Sequence, residues 1–248
     1  MLLAIDAGNS RIKAAIFDPA GQIFWQITLP NHLITQLDIP SDFKVHRVMI
    51  ANVAGKAHAE HLQKILIAHG LEHILWVKSK HLACGVKNNY AQPEQLGVDR
   101  WAALIAAWQR YQCTCLVVNI GTAVTIDILQ RSEVETSSYA AEFLGGMIVP
   151  GLHLMQLALT QHTADLNWQE GQNVMYPINT ADAISSGIHH AILGAIRLNY
   201  ERLPTNAMVI LSGGDAGVLV EYLKAINIRV VLEPNLVLQG LRLLEKVA

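Results

Sequence analysis

The sequence predicts an α/β chain of two similar lobes with a cleft between them. Three observations carry that expectation. Strands alternate with helices in both halves, as in α/β architectures. A strand–turn–strand unit near the N-terminus returns about half a chain later. The length of 248 residues falls between one and two domains of ~150 residues. At 52% hydrophobic and 15% charged residues, below the usual ~25% charged, the chain can bury a core and is not disordered. No linker or low-complexity segment separates the lobes, which we place at 1–113 and 114–248.

Leu2 to Asp6 is a short apolar run ending in a carboxylate, Ala7-Gly8-Asn9-Ser10 turns the chain, and Ile12 to Phe17 returns as a strand. Gln22 to Leu29 is a third strand by its Ile, Phe, Trp and Thr content. Asn31 to Lys44 reads as loop or short irregular helix. Val45 to Val53, a helical run over Ala57, Leu62, Ile65, Leu66 and His69 stopped by Gly70, and His73 to Val77 together form a βαβ unit. Gly85 to Pro93 is loop-like, and a long helix starts near Pro93 with Trp101, Leu104, Ile105 and Trp108 as its apolar stripe.

The opening pattern then repeats. Cys115 to Asn119 is a strand, Gly121-Thr122-Ala123 a turn, and Val124 to Leu129 the returning strand. Asp6-Ala7-Gly8-Asn9-Ser10 superposes on Asn119-Ile120-Gly121-Thr122-Ala123 at a displacement of 113 residues, which marks an internal duplication. Gly145-Gly146 and Pro150-Gly151 precede a helix-like run from Leu152, and Asp165 to Pro177 is a polar loop. Thr180 caps a helix with the stripe Ala181, Ile184, Ile188, Ala191, Ile192, Ala195 and Ile196. A strand from Met208 to Leu211 runs into Ser212-Gly213-Gly214-Asp215. A helix, a strand at Ile228 to Leu232 and a last helix capped by Asn235 complete the chain.

Several function classes drop out. A net charge of −2 leaves no basic footprint for nucleic acid or an anionic membrane. The longest uncharged stretch, Phe143 to Ala164, is broken by Gly and Pro and carries Gln and His, so it does not read as a membrane span, and no signal peptide is visible. Cys84, Cys113 and Cys115 fit neither a zinc nor a thioredoxin pattern, and a reducing cytoplasm suits them. His58 with His61, and His189-His190, lie on helical stretches without a metal-ligand motif. No Walker loop or Gly-x-Gly-x-x-Gly occurs.

Asp6, Gly8, Asn9, Ser10 and Lys13 carry the clearest chemistry. A tight turn exposes backbone N–H groups and a hydroxyl to phosphate oxygens, Lys13 adds a point charge, and Asp6 can hold a hydrated Mg²⁺. Taken alone, this unit reads more simply as an ordinary hairpin with an Asx-type turn. Its recurrence at Gly121-Thr122, with Asn119 and Asp127 beside it, favours two phosphate grips on one nucleotide.

Asp6-Ala7-Gly8-Asn9-Ser10-Arg11-Ile12-Lys13, Gly97-Val98-Asp99-Arg100 and Asn119-Ile120-Gly121-Thr122-Ala123-Val124-Thr125-Ile126-Asp127 resemble the first phosphate, substrate and second phosphate motifs of the type III pantothenate kinases. Gly145-Gly146 with Pro150-Gly151, Asn179-Thr180 and Ser212-Gly213-Gly214 extend the resemblance over nearly the whole chain. It implies two duplicated ribonuclease H-like (actin-like ATPase) lobes with a nucleotide cleft, and phosphorylation of pantothenate by ATP with Mg²⁺. Asp99 is then the general base. Asp6 to Lys13 with Gly121 and Thr122 bind ATP phosphates, and Tyr90, Gly97, Val98, Asp99, Arg100 and Thr180 bind pantothenate. The resemblance also implies a cytoplasmic homodimer. Ser10 replaces the family's usual threonine and keeps the hydroxyl. Asn119 replaces the aspartate that binds a monovalent cation, K⁺ or NH₄⁺, so one charge is missing and that site is expected to be weak or lost. Two other readings are a kinase for another small hydroxy-carboxylate or sugar, and a nucleotide-binding accessory protein of the same fold.

Overall fold

The computed structural model of the chain describes residues 1–133, 138–162 and 170–247. In chain order the strands and α-helices are β1 (Leu2–Ala7), β2 (Arg11–Phe17), β3 (Ile23–Pro30), β4 (Arg47–Asn52), α1 (Lys56–Ala68), β5 (Ile74–Trp76), β6 (Leu82–Ala83), β7 (Val86–Asn88), α2 (Val98–Tyr111), β8 (Cys115–Ile120), β9 (Ala123–Arg131), β10 (Ala141–Pro150), α3 (Leu152–His162), α4 (Thr180–Tyr200), β11 (Met208–Ser212), α5 (Gly217–Ala225), β12 (Val230–Leu232) and α6 (Leu236–Leu244). They fall into two compact units. Unit 1 joins Met1–Gln112, Arg131–Leu144 and Asn235–Ala248, and unit 2 joins Cys113–Gln130 and Gly145–Pro234.

Unit 1 holds a five-stranded sheet in the order β3-β2-β1-β4-β5. β1 pairs antiparallel with β2 and parallel with β4, and β4 pairs parallel with β5 after the α1 crossover. That is the βαβ unit legible in the sequence. Alternate residues Leu3, Ile5 and Ala7 of β1 and Ile12, Ala14 and Ile16 of β2 pack with Leu62 and Leu66 of α1, the period-2 and i,i+4 faces meeting in one core. Of the fourteen residues of α2, those from Val98 to Trp108 are buried except Asp99. The helix is therefore enclosed well beyond the stripe Trp101, Leu104, Ile105 and Trp108. The reason is α6, whose Gly240 lies so close to α2 that a Cβ there would sit 1.9 Å from the Ala102 carbonyl oxygen.

In unit 2 the strand order is β12-β11-β8-β9-β10, where β10 contributes its second half. β8 pairs antiparallel with β9 and parallel with β11, which repeats the arrangement of β1 between β2 and β4 in unit 1. Ile188, Ile192 and Ile196 of α4, with Leu219 and Leu223 of α5, pack on Leu116, Val118, Ile120, Val124 and Ile126.

The structure corrects several expectations. The long helix does not begin near Pro93: Pro93–Gln95 is a 3-10 turn, Leu96 is extended, and α2 starts at Val98. The stretch from Gly85 to Pro93 is not all loop, because β7 pairs with β6 and with the start of β10. β10 itself, ten residues long, was hidden by Gly145-Gly146 and Pro150, which read as turn residues. Thr180 is the first helical residue of α4 and Asn179 is its N-cap, its Oδ1 accepting from the Asp182 N–H at 2.9 Å. Asn235 precedes α6 but makes no side-chain cap, donating to Gln26 instead. Within the polar loop read from Asp165 to Pro177, residues 165–169 lie outside the described residues, and 170–177 form no helix or strand.

Candidate active site

Asp6, half-buried between the buried Ile5 and Ala7 of β1, lies directly across from Lys13 on β2. Between them the chain turns through Gly8, Asn9 and Ser10, closed by a 3.1 Å bond from the Gly8 N–H to the Arg11 carbonyl. A residue that the sequence patterns passed over holds this turn. The Asn31 side chain donates to the carbonyls of Gly8 (2.8 Å) and Asn9 (2.9 Å), and its backbone N–H donates to the Ser10 carbonyl (3.0 Å). Asn31 follows β3, which lies beside β2 and ends opposite Arg11.

Asp99 comes to the same region from the first turn of α2, where a carboxylate is favoured by the helix dipole. Its Oδ1 accepts the Arg100 N–H at 2.8 Å. Gly97 leaves room for this position of the carboxylate, since a Cβ there would stand 2.6 Å from the same oxygen and push the Asp99 side chain aside. The Asp6 carboxyl is raised from 3.8 to about 7, chiefly by burial and in addition by the Asp99 charge, with Lys13 opposing both. Burial also raises Asp99, while the Arg100 N–H and guanidinium pull it down. Two carboxylates 93 positions apart in sequence thus share one desolvated neighbourhood.

Arg100 is buried at 7% exposure. Its Nη1 donates to the Tyr90 hydroxyl at 3.1 Å, and its guanidinium stands 5.7 Å from the Tyr90 ring centre and 5.8 Å from that of Phe143. The two rings are 5.3 Å apart, and such a pair attracts a cation electrostatically. Asn88, fully buried, fixes the Tyr90 loop by accepting from the Tyr90 N–H (3.0 Å) and donating to the Pro93 carbonyl (3.0 Å). Neither Phe143 nor Asn88 carried a signal in the sequence. Their roles depend on β10 pairing with β7.

In unit 2 the β8–β9 turn is one residue shorter, with Ile120 opposite Val124 and the Gly121 N–H bonded to the Ala123 carbonyl at 3.1 Å. Two other glycine turns pack against it. The Gly151 N–H donates to the Thr122 carbonyl at 2.9 Å, and a Cβ on Gly151 would be 2.0 Å from the Gly121 oxygen. Gly213, at φ +99°, would place a Cβ 2.2 Å from the Ile120 oxygen, which also accepts the Asp215 N–H. Backbone approaches this close are open only to glycine. Asn119 stands between Thr125 and Ser212 in register, and Asp127 is buried at 1% exposure. Thr180 is exposed at the start of α4, also in unit 2. A separate cavity of about 360 Å³ lies at the start of β4, lined by Val45–Val48 and Gly70–His73, away from Asp6.

Similarity to known proteins follows these features. A protein from Campylobacter jejuni described as a Baf family transcriptional activator superposes with a TM-score of 0.61 at 21% identity, over 99% of this chain and 98% of that one. A protein from Sinorhizobium meliloti described as a 2-dehydro-3-deoxygalactonokinase gives 0.54 at 13% identity, over 98% and 97%. By fold the molecule is thus of the actin-like ATPase and sugar kinase class. The sequence profile of type III pantothenate kinases matches residues 2–202. The type III pantothenate kinase of Methylobacillus flagellatus is 44% identical over 99% of this chain and 98% of its own length. The chain belongs to the type III pantothenate kinase family.

Proposed function

We infer that the chain transfers the terminal phosphoryl group of ATP to the primary hydroxyl of pantothenate, the first committed step of coenzyme A synthesis, with Asp99 as general base. Membership of the family supports the substrates. For the chemistry, the supporting observation is the setting of Asp99, a carboxylate in the first turn of α2 beside the buried Arg100 and near enough to Asp6 for its charge to raise that carboxyl. A carboxylate whose basicity is raised by burial is suited to accept the hydroxyl proton. As that proton moves to Asp99, the pantothenate oxygen bonds to the γ-phosphorus, the bridge to the β-phosphate breaks, and ADP leaves. Positioning and electrostatics supply most of the acceleration of such a transfer.

The reading assigns Ala7 to Lys13 to the ATP phosphates, with Gly121 and Thr122 of the second hairpin. Arg100, oriented by Tyr90 and Phe143, takes the pantothenate carboxylate in its guanidinium fork. Gly97 and Val98 shape the start of α2, and Thr180 is a further substrate contact. The donor set fits a divalent ion, because a desolvated carboxyl raised by a like-charged neighbour is relieved by a cation. Among the described residues no group of three or more Asp, Glu, His or Cys could hold a metal. Asp6 would therefore hold Mg²⁺ through water, as Mg²⁺ on phosphates commonly is held. That ion would neutralise phosphate charge.

Asn119 leaves a monovalent-cation site one charge short, so strong activation by K⁺ or NH₄⁺ is not expected. Exposed Met147, Ile148, Leu154, Met175, Tyr176 and Ile178 on unit 2 support a homodimer, and no described helix is long and apolar enough to cross a membrane. The reading places the enzyme in the cytoplasm. A coupled ADP-release assay with ATP, Mg²⁺ and pantothenate, with and without K⁺, tests it. ADP release that does not depend on pantothenate overturns the substrate assignment, and a strong K⁺ requirement overturns the reading of Asn119.

A further inference from the structure

We propose that Asn31 is the positioning residue of the first phosphate hairpin, forcing its backbone N–H groups to face the nucleotide. The inference rests on the assignment of that hairpin to phosphate. In a trans peptide the carbonyl of one residue and the N–H of the next point in opposite directions, and among the described residues no peptide bond is cis. Asn31 gathers three successive carbonyls, those of Gly8, Asn9 and Ser10. The N–H groups of Asn9 and Ser10 are thereby turned to the side away from Asn31, whereas that of Arg11, on the same strand edge as the carbonyl that accepts the Gly8 N–H, faces back across the hairpin. Successive N–H groups aimed one way form an anion cradle.

The chemistry of the side chain shows that its donor function matters. Both hydrogens of Nδ2 are used on carbonyls, whereas the Oδ1 atom is buried without a hydrogen-bond partner. An amide is retained here although half of it goes unsatisfied, which has a cost in stability. Aspartate at this position would set an acceptor against two acceptors, and only its protonated form could return one donor. A glycine at position 8 completes the device, because a Cβ would already press on the Arg11 carbonyl at 3.2 Å.

Mg²⁺–ADP affinity, measured by calorimetry, and steady-state constants for ATP and pantothenate on wild type, Asn31→Ala, Asn31→Asp and Lys13→Ala test this. Asn31→Ala is expected to weaken Mg²⁺–ADP roughly tenfold, with the pantothenate KM within twofold and the melting temperature little changed, since the orphaned Oδ1 is removed together with the two bonds. Asn31→Asp is expected to weaken it more, and to regain part of the loss relative to wild type as pH falls from 8 to 5.5. If Mg²⁺–ADP affinity is unchanged in Asn31→Ala while Lys13→Ala weakens it, the positioning role is wrong and the hairpin assignment stands. If Lys13→Ala is also without effect, the hairpin assignment itself fails. Equal losses for both substrates together with a large fall in melting temperature would assign Asn31 to general stability and overturn the proposal. Should Asn31→Ala not fold, the absence of any pH-dependent recovery in Asn31→Asp overturns it equally.

Discussion

Substituting Gly151 by alanine tests whether the β8–β9 turn is held in place by backbone packing. The added Cβ would stand 2.0 Å from the Gly121 oxygen and 2.7 Å from that of Thr122, whereas real Cβ atoms essentially never come within 3.0 Å of another heavy atom. The turn must therefore move by about 1 Å. Neither partner can yield by rotating a side chain, because both are backbone. A displacement of ~1 Å in a phosphate-positioning element costs roughly 100-fold in rate, which corresponds to about 2.7 kcal/mol of transition-state stabilisation. Overpacking adds ~1–3 kcal/mol of destabilisation. The assay is kcat/KM for ATP at saturating pantothenate, on protein shown by circular dichroism to be folded. Gly217→Ala, where an added Cβ has nothing within 4 Å, serves as control and should behave as wild type. A folded Gly151→Ala enzyme whose kcat/KM lies within threefold of wild type would show that the turn is not held by this contact, or does not grip phosphate.

Asp99→Asn is expected to lower kcat by ~10²–10⁴ with smaller changes in either KM, and an undiminished rate would remove Asp99 as base. Tyr90→Phe keeps the ring beside Arg100 but loses the 3.1 Å hydrogen bond, so the pantothenate KM should rise by roughly three- to tenfold, for a bond worth ~1 kcal/mol, with the ATP KM unchanged. In metal- and nucleotide-free buffer, stability should fall as pH rises from about 4 to about 7. The folded Asp6 carboxyl, raised from 3.8 to about 7, keeps a proton there that the unfolded chain has released. Its stabilising effect is thus complete below the unfolded value and lost on passing the folded one. The span is on the order of 2–4 kcal/mol, and Asp6→Asn should flatten it. Parallel denaturation curves for the two proteins across that range would contradict the burial of Asp6.

Local chemistry was legible from sequence, and distant contacts were not. The two hairpins could be read because a glycine, short polar side chains and flanking apolar runs lie within about a dozen residues of one another. The βαβ unit was legible because its periodicities change cleanly from 2 to 3.6 and back. Asn31 escaped notice because its partners are 22 and 23 positions away, and an asparagine after a proline looks like any loop residue. Phe143 escaped because the strand that carries it contains the glycine pair that ordinarily signals a turn. Asp99 was identified through its motif, but its proximity to Asp6 depends on β1, β4 and α2 packing together in unit 1. Pro93 suits a first helical turn, which draws the expected start of α2 forward, but it occupies a separate 3-10 turn and the helix begins at Val98.

The making of unit 1 from three stretches of chain also sets the order in which the two units can be completed during synthesis. Every residue of unit 2 has been synthesised by Pro234, while unit 1 still awaits Asn235–Ala248. Domains tend to fold as they are completed during synthesis, so the unit that starts the chain is the last that can close. Until α6 arrives, the face of α2 around Ala102 has no cover. A nascent chain stalled before residue 235 therefore carries Asp99 and Arg100 on a helix that is not yet sheathed.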